Sequence, residues 1–112
     1  MHEMSLALEI RSICERELTR QGDGQLVAVG VEVGAFAGVD AQNLQFCLDA
    51  VLSEKYGPVR CELRVTPGRA ACGRCGSEFQ VTRAPFECPL CGSAAAGVSG
   101  GDALRVEYLE LE

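Results

Sequence analysis

The sequence predicts an α+β fold in which two helices pack on a three-stranded mixed sheet, with a cysteine-rich module inserted in one sheet connection. Three observations predict it. Two stretches space apolar residues every three or four positions, three stretches alternate apolar with polar or small residues, and four of the seven cysteines lie between the last two alternating stretches. Helices on one face of such a sheet make a two-layer domain.

Both predicted helices have an apolar stripe that faces the core. The first runs from Ser5 to Arg20, with Ser5 as its N-cap and glycines after its end. The second runs from Ala41 to Tyr56, with Asp40 as its N-cap. Each stripe contains a cysteine that is expected to pack rather than react. The stripes are Leu6, Ala7, Ile10, Ile13, Cys14 and Leu18, and then Leu44, Cys47, Leu48, Val51 and Leu52.

The three predicted strands differ in their pattern. Residues 26–34 alternate valines with small residues, which indicates a strand with a valine face in the core. Residues 59–66 alternate cleanly between a buried face, which includes Cys61, and a wet face. In residues 103–111 the alternation slips at Tyr108-Leu109, which indicates a bulge or the end of the strand. The chain thus divides into an α+β domain (1–68 and 102–112) and a module (69–101).

Composition limits the classes of partner. The 112 residues carry a formal net charge of −6, with no Trp and few other aromatics, so no nucleic-acid partner is expected. No stretch approaches a membrane span, and no signal peptide opens the chain, so we expect a cytoplasmic protein. Seven cysteines in such a chain favour metal ligation over disulfides.

The inserted module contains two CxxC motifs separated by twelve residues, the spacing of a zinc-ribbon-like site. Four thiolates can surround one ion tetrahedrally, and they leave no open position for hydrolytic chemistry. We therefore predict a structural zinc site, although iron in a rubredoxin-like site or a redox-active CxxC would use similar motifs. The predicted ligands are Cys72, Cys75, Cys88 and Cys91. Phe79 and Phe86, between the motifs, are expected to shield the cluster.

His2 is the only histidine, and it lies beside the amino terminus. The terminal amine of Met1, the backbone nitrogen of His2 and its imidazole suit square-planar Ni(II) or Cu(II). Glu3 adds a backbone nitrogen and a carboxylate. Because the first N–H groups of a helix lack intrahelical acceptors, metal could displace their protons without costing the helix a hydrogen bond. The alternative is a frayed terminus with an incidental histidine. The position of His2 at the chain end, taken alone, favours this alternative.

Two further stretches carry a family likeness. The opening MHEMSL (residues 1–6) and the central VEVGAFAGV (residues 31–39), together with the paired CxxC motifs and the acidic last strand, resemble the HypA/HybF family. Its members are nickel-insertion chaperones for [NiFe]-hydrogenase maturation. The likeness covers nearly the whole chain, so the combination is far more specific than any single motif.

The resemblance implies a nickel metallochaperone and not an enzyme. It implies Ni(II) bound through His2, with Met1 and Glu3 contributing, and structural zinc at the four module cysteines. Its implied partners are a HypB-type GTPase and the hydrogenase large subunit, with urease maturation proteins left open, as is the choice between monomer and homodimer. A further nickel ligand is left open too. Asp40 could donate an oxygen, but its N-cap role explains it without nickel.

Two other classes remain as alternatives from the residues alone. A zinc-ribbon interaction or nucleic-acid accessory module would use the same cysteines, but the charge of −6 argues against the nucleic-acid form. A thiol oxidoreductase or rubredoxin-like electron carrier would also use them. Metal analysis and a visible spectrum would distinguish the latter from a zinc protein.

Overall fold

The computed structural model describes residues 2–22 and 24–112, which form two helices and six strands. The elements in chain order are α1 (Glu3–Gln21), β1 (Leu26–Gly34), α2 (Ala41–Tyr56), β2 (Arg60–Thr66), β3 (Gly68–Cys72), β4 (Glu78–Val81), β5 (Ala95–Ser99) and β6 (Leu104–Leu111). Neither helix in these ranges has both the length and the hydropathy that crossing a membrane requires.

The larger sheet has three strands in the order β2-β1-β6. β1 pairs in parallel with β2 and antiparallel with β6, so the predicted mixed sheet is confirmed. β1 is the central strand, and all of its residues except Val27 are buried. A parallel pair needs a crossover connection, and α2 supplies it between β1 and β2.

The two helices lie side by side over one face of this sheet and run in the same direction. Glu3 of α1 contacts Asn43 of α2, and Glu15 lies 2.6 Å from Lys55 Nζ, so equivalent contacts recur along both helices. The fully buried core lies between the helices and the sheet, and its largest side chains are Leu26, Leu44, Leu48, Leu52, Val29, Val31, Val33 and Cys14. Burial of these apolar side chains is the main stabilising term.

The start of α1 differs from the prediction, whereas the start of α2 agrees with it. Ser5 is not the N-cap, because α1 begins at Glu3 with His2 in the N-cap position (φ −79°, ψ 131°). An acidic residue in the first turn interacts favourably with the helix dipole, which explains the earlier start. Asp40 caps α2 as predicted, since its Oδ1 accepts a hydrogen bond from Asn43 N–H at 3.2 Å.

The predicted irregularity in the last strand is a bulge. Gly30 pairs with Tyr108 and Val31 with Val106, so Glu107 is the extra residue. Side chains after the bulge change faces: Leu109 packs on the core, and Tyr108 is exposed, contrary to the simple alternation. The expected core positions Ile13 and Val65 are exposed as well, at 36% and 48%.

The module forms a second antiparallel sheet, in the order β4-β3-β5, which the sequence did not predict. Its strands have only four or five residues, too few to show a period. Where the two sheets meet, the chain is closely packed. Gly34 N–H donates to Ala103 O at 2.6 Å, and a Cβ at Gly34 would overlap the backbone of Gly101 and Asp102.

We predict that Gly34→Ala destabilises the protein by about 1–3 kcal/mol, because the backbone it would meet cannot move aside as a side chain could. Gly97→Ala is the matched control. A Cβ there meets nothing within 4 Å, so we expect a change within about 0.5 kcal/mol. Urea unfolding of the metal-loaded proteins, followed by circular dichroism, measures both. Equal stability of the two variants would contradict the close approach.

Candidate metal centre

The two CxxC motifs fold into two equivalent turns. In the first turn, Gly76 N–H donates to Cys72 O at 3.0 Å, and in the second, Gly92 N–H donates to Cys88 O at 2.8 Å. Both glycines have a φ of 77°, in the left-handed region that other residues avoid. The first turn also directs the amides of residues 74 and 75 towards Cys72 Sγ, each at 3.4 Å.

The four cysteine sulfurs of these turns come together as predicted. All lie within 4.8 Å of one another, with Cys72 Sγ 3.4 Å from Cys91 Sγ and Cys75 Sγ 3.6 Å from Cys88 Sγ. A tetrahedron with metal–sulfur bonds of 2.3 Å has edges of about 3.8 Å. The sulfurs therefore fit one tetrahedrally coordinated ion. They are the only such group of acidic, cysteine or histidine side chains in residues 2–22 and 24–112.

Two serines beside the cluster favour the thiolate form that binds metal. The Ser77 hydroxyl lies 3.2 Å from Cys75 Sγ, and its hydrogen bonds lower the pKa of Cys75 to about 6. Ser93 in the second turn likewise lowers the pKa of Cys91. The sequence signal for these residues is the repeated Cys-Gly-Ser at 75–77 and 91–93.

The other three cysteines pack in the core of the α+β domain, as predicted. Cys14 and Cys47 are buried in the hydrophobic core, and Cys61, which is partly exposed, packs against that core. Burial raises the pKa of Cys14 to about 11 and, with Asp49 nearby, that of Cys61 to about 12. Thiols with such raised pKa values are poor nucleophiles and poor metal ligands.

The aromatic residues between the motifs have separate positions. Phe86 packs edge to face against Phe36, with ring centroids 5.7 Å apart. Phe36 belongs to the loop between β1 and α2, so this contact joins the module to the larger sheet. Phe79 lies on β4, opposite Ala70 of β3.

The second predicted site lies at the start of α1. His2 is exposed, and its imidazole makes no capping hydrogen bond. Its carbonyl accepts the hydrogen bond of Leu6 N–H at 3.2 Å. Met1, the third predicted contributor, lies outside the described residues. Within residues 2–22 and 24–112, the imidazole of His2 is therefore accessible to a ligand from solvent.

The carboxylate of Glu3 is held by the start of α2. Its Oε2 accepts Asp40 N–H at 3.2 Å, and its Oε1 accepts Asn43 Nδ2 at 3.0 Å. The hydrogen bond from Asp40 N–H is the largest cause of the lowered pKa of Glu3. Sequence reasoning missed Asn43, although its place three residues after an N-cap aspartate is a recognisable signal. The contact brings the first turns of both helices together.

The site's relation to known proteins follows from three comparisons. The family model described as "Hydrogenase/urease nickel incorporation, metallochaperone, hypA" matches residues 1–111. Relatives named "Hydrogenase maturation factor HypA" are 40% identical in Alkalilimnicola ehrlichii, 37% in Cereibacter sphaeroides and 36% in Azotobacter vinelandii, each over the full length of both chains.

Solved structures share the fold. The solution structure of the Ni metallochaperone HypA from Helicobacter pylori superimposes with a TM-score of 0.65, at 18% identity over 99% of this chain and 97% of that one. A second solution structure, of HypA protein, gives 0.63 at 18% identity, over 100% and 97% of the two chains. Both likenesses concern the arrangement of the backbone.

We predict that Cys75→Ala abolishes metal binding in the module, because three thiolates cannot complete the tetrahedron. Without metal, β3, β4 and β5 should lose amide-exchange protection, since metal binding supplies the folding free energy of such modules. Cys47→Ala, which removes a core thiol, should keep an equimolar amount of metal. Elemental analysis and hydrogen exchange measure both effects. Full metal content in Cys75→Ala would contradict the site.

A second prediction concerns pH. Because the folded-state pKa of Glu3 lies below its ordinary value of 4.5, its stabilisation is fully present above pH 4.5 and is lost as pH falls through the lowered pKa. Wild type should therefore be more stable than Glu3→Gln at pH 7, and the difference should shrink progressively as pH is lowered below 4.5. Thermal unfolding at pH 7 and at a series of acidic pH values measures it. Glu9→Gln, an exposed change on the same helix, should show little difference at any of these pH values, and a Glu3 difference that does not shrink in acid would argue against the ionised contact.

Proposed function

The chain belongs to the HypA family of hydrogenase/urease nickel incorporation metallochaperones, and on that basis we propose that it binds Ni(II) at its amino terminus and delivers it for [NiFe]-hydrogenase maturation. The observation that carries the amino-terminal site is the exposed imidazole of His2, which has no hydrogen-bond role in capping α1. His2 is also the only imidazole in the chain. Imidazole and amide nitrogens suit Ni(II) in square-planar geometry.

We assign the nickel ligands at the amino terminus according to the hydrogen bonds that the side chains there already make. His2 contributes its imidazole and its backbone nitrogen, and Met1 contributes the terminal amine. These three donors close two chelate rings that share the His2 nitrogen, and a third ring through the Glu3 nitrogen cannot lie in the same square plane. Glu3 therefore contributes its negative charge beside the site, because its carboxylate is engaged by Asp40 N–H and Asn43 Nδ2, and the fourth position is left to a donor from a partner. Asp40 remains an N-cap, since its Oδ1 accepts Asn43 N–H. Backbone donors thus supply what the side chains do not.

A site of this kind suits a carrier. It is exposed at a chain end, so a partner can reach the metal and compete for it. Protons compete for the imidazole and for the amide nitrogens, so affinity falls in mild acid. Nothing in this role requires bond making or breaking, and we propose that the protein acts as a carrier and not as an enzyme.

The four-cysteine cluster is proposed to hold zinc. Thiolates and tetrahedral geometry favour zinc, and four protein ligands leave no position for a substrate. Zinc then stabilises the fold of the module (residues 69–101), whereas the α+β domain (residues 1–68 and 102–112) has its own apolar core. We propose this division because the second sheet, apart from its first residue Gly68, falls within residues 69–101.

The proposed partners follow from the family. Nickel passes between this chain, a HypB-type GTPase and the large subunit of a [NiFe]-hydrogenase, in the cytoplasm. Urease maturation proteins are proposed as a second class of recipient, because the family description names urease nickel incorporation beside hydrogenase. Protein contacts of this kind would place the first turn of α1 against the recipient, since His2 and Glu3 lie there, together with the start of α2 that the Glu3 carboxylate contacts.

The test is calorimetric titration of Ni(II) into the zinc-loaded full-length protein. His2→Ala should lower affinity by more than about 100-fold, the upper range for loss of an outer-shell partner. Glu3→Gln is the matched control, because it removes the charge next to His2 and leaves every proposed donor nitrogen in place. Its effect should be much smaller.

A second variant tests the terminal amine. One glycine added before Met1 moves the amine away from His2, so the absorption spectrum of bound Ni(II) should change. Equal affinity of wild type and His2→Ala, or an unchanged spectrum in the extended protein, would contradict the amino-terminal site. A loss in Glu3→Gln as large as in His2→Ala would instead make the carboxylate a ligand.

A further inference from the structure

The four clustered cysteines of the module are unequally exposed. The first cysteine of each CxxC motif is buried, with an exposed fraction of 3% for both Cys72 and Cys88. The second cysteine of each motif, Cys75 or Cys91, is exposed. The cluster therefore has two sulfurs that a small molecule in solution can reach and two that the protein covers.

The residues beside the two exposed cysteines leave them uncovered. Each is followed by a glycine of positive φ, Gly76 or Gly92, and a Cβ added to either glycine would meet nothing within 4 Å. Leu90, which precedes Cys91, is 78% exposed, so its side chain does not cover the cluster. The open side of the cluster is therefore accessible to a small oxidant.

Each exposed sulfur also lies against a buried sulfur of the other motif. Cys91 Sγ is 3.4 Å from Cys72 Sγ, and Cys75 Sγ is 3.6 Å from Cys88 Sγ. An accessible cysteine beside a second cysteine that can resolve its oxidised form is the usual arrangement of redox-sensing thiols. The cluster contains two such pairs, and each pair crosses from one motif to the other.

We propose that these four cysteines are a site of reversible oxidation by hydrogen peroxide, which converts them into two crossed disulfides, Cys72–Cys91 and Cys75–Cys88. The exposed thiolate of each pair attacks one peroxide oxygen, the O–O bond breaks, and a sulfenic acid and hydroxide form. The buried thiolate of the same pair then attacks the sulfenic sulfur and displaces a second hydroxide as the disulfide forms. Each pair of sulfurs loses two electrons, which reduce one peroxide.

Zinc leaves in the same reaction, because the thiolate is the form of cysteine that binds metal and a disulfide has none. Four thiolates on one Zn(II) and two peroxides give two disulfides, one free Zn(II) and four hydroxides, so charge and electrons balance. This release rests on the proposed zinc site, whereas the crossed pairing of the cysteines does not. A dithiol reductant restores the thiolates by exchange, so zinc can bind again.

Crossed pairing also keeps the two turns of the module joined. Like zinc, it links the first turn to the second and so closes the chain between them. A disulfide within each motif would leave the turns unconnected. Cys72 is the last residue of β3, the central strand of the second sheet, so its link to Cys91 ties that sheet to the second turn. The oxidised module should therefore keep a folded sheet after zinc has left.

The remaining thiols lie outside this reaction. Cys61 is partly exposed, but it packs against the core of the α+β domain, and burial raises its pKa to about 12. It therefore stays protonated and reacts slowly with peroxide. The proposed nickel donors at the amino terminus are nitrogen atoms. Oxidation at the cluster thus changes the module and leaves those donors as they are.

The test treats the zinc-loaded full-length protein with excess hydrogen peroxide, alkylates the free thiols and maps the disulfides by mass spectrometry. Crossed pairing should join all three tryptic peptides that contain the cluster, whereas pairing within motifs would join two and leave the third separate. Chymotryptic cleavage after Leu90 then separates Cys88 from Cys91 and identifies the partner of each. The three tryptic peptides are residues 70–74, 75–83 and 84–105.

Two further readouts follow the order and the stoichiometry of the reaction. Dimedone, which traps sulfenic acids, should label Cys75 and Cys91 about tenfold more than Cys72 and Cys88 during brief treatment, because susceptibility follows exposure. A zinc-binding dye should report one zinc ion released for every two peroxides consumed. Cys61→Ala is the matched control and should release zinc at the wild-type rate.

Three results would overturn the proposal: four cysteines that stay reduced in excess peroxide, disulfides confined to each motif, or equal dimedone labelling of exposed and buried cysteines. Elemental analysis before the treatment distinguishes this proposal from the zinc site itself. A protein that holds no zinc yet forms the crossed disulfides would contradict the zinc site and support the pairing. A zinc-loaded protein that forms no crossed disulfides would do the reverse.

Discussion

The burial of β1 between two strands of opposite direction determines where the rest of the molecule lies. Because β2 is parallel to β1, the chain must cross back over the sheet, and α2 does so from the end where β1 finishes. α1 runs in the same direction as α2. The first turns of both helices, the ends of β1 and β2 and the start of β6 therefore lie at one end of the domain. His2 and the connections to the module share that end.

The electrostatics of this end follow from the helix directions. Two parallel helices direct the positive ends of their dipoles to the same place, which favours anions. Glu3 and Asp40 place negative charge in that field. Glu3 also accepts the N–H of the N-cap Asp40, and Asp40 accepts the N–H of Asn43 in the first turn of α2. A bare Ni(II) ion would be opposed by the dipoles. The deprotonated amide nitrogen of His2 and the two carboxylates offset that opposition, which favours a site built on backbone nitrogens.

Sequence patterns predicted the elements whose period is long enough to read. Both helices, the three strands of the larger sheet, the cap at Asp40 and the four clustered cysteines could all be predicted. The departures from the predicted structure each have a local structural reason. Ser5 has good capping chemistry, but Glu3 gains hydrogen bonds from α2 that no local pattern contains. Tyr108 changed faces because a single bulged residue reverses the alternation after it. The strands of the module are too short to show a periodic pattern in the sequence, and they form beside the four clustered cysteines.

The most direct measurement of the proposed nickel site is a proton–nitrogen correlation spectrum recorded before and after one equivalent of Ni(II). Square-planar Ni(II) is diamagnetic, and binding to backbone nitrogens removes their protons. The amide signal of His2 should then disappear, and those of Glu3, Asp40 and Asn43 should shift without broadening. Unchanged His2 and Glu3 signals, with perturbation centred on the four module cysteines, would contradict an amino-terminal site.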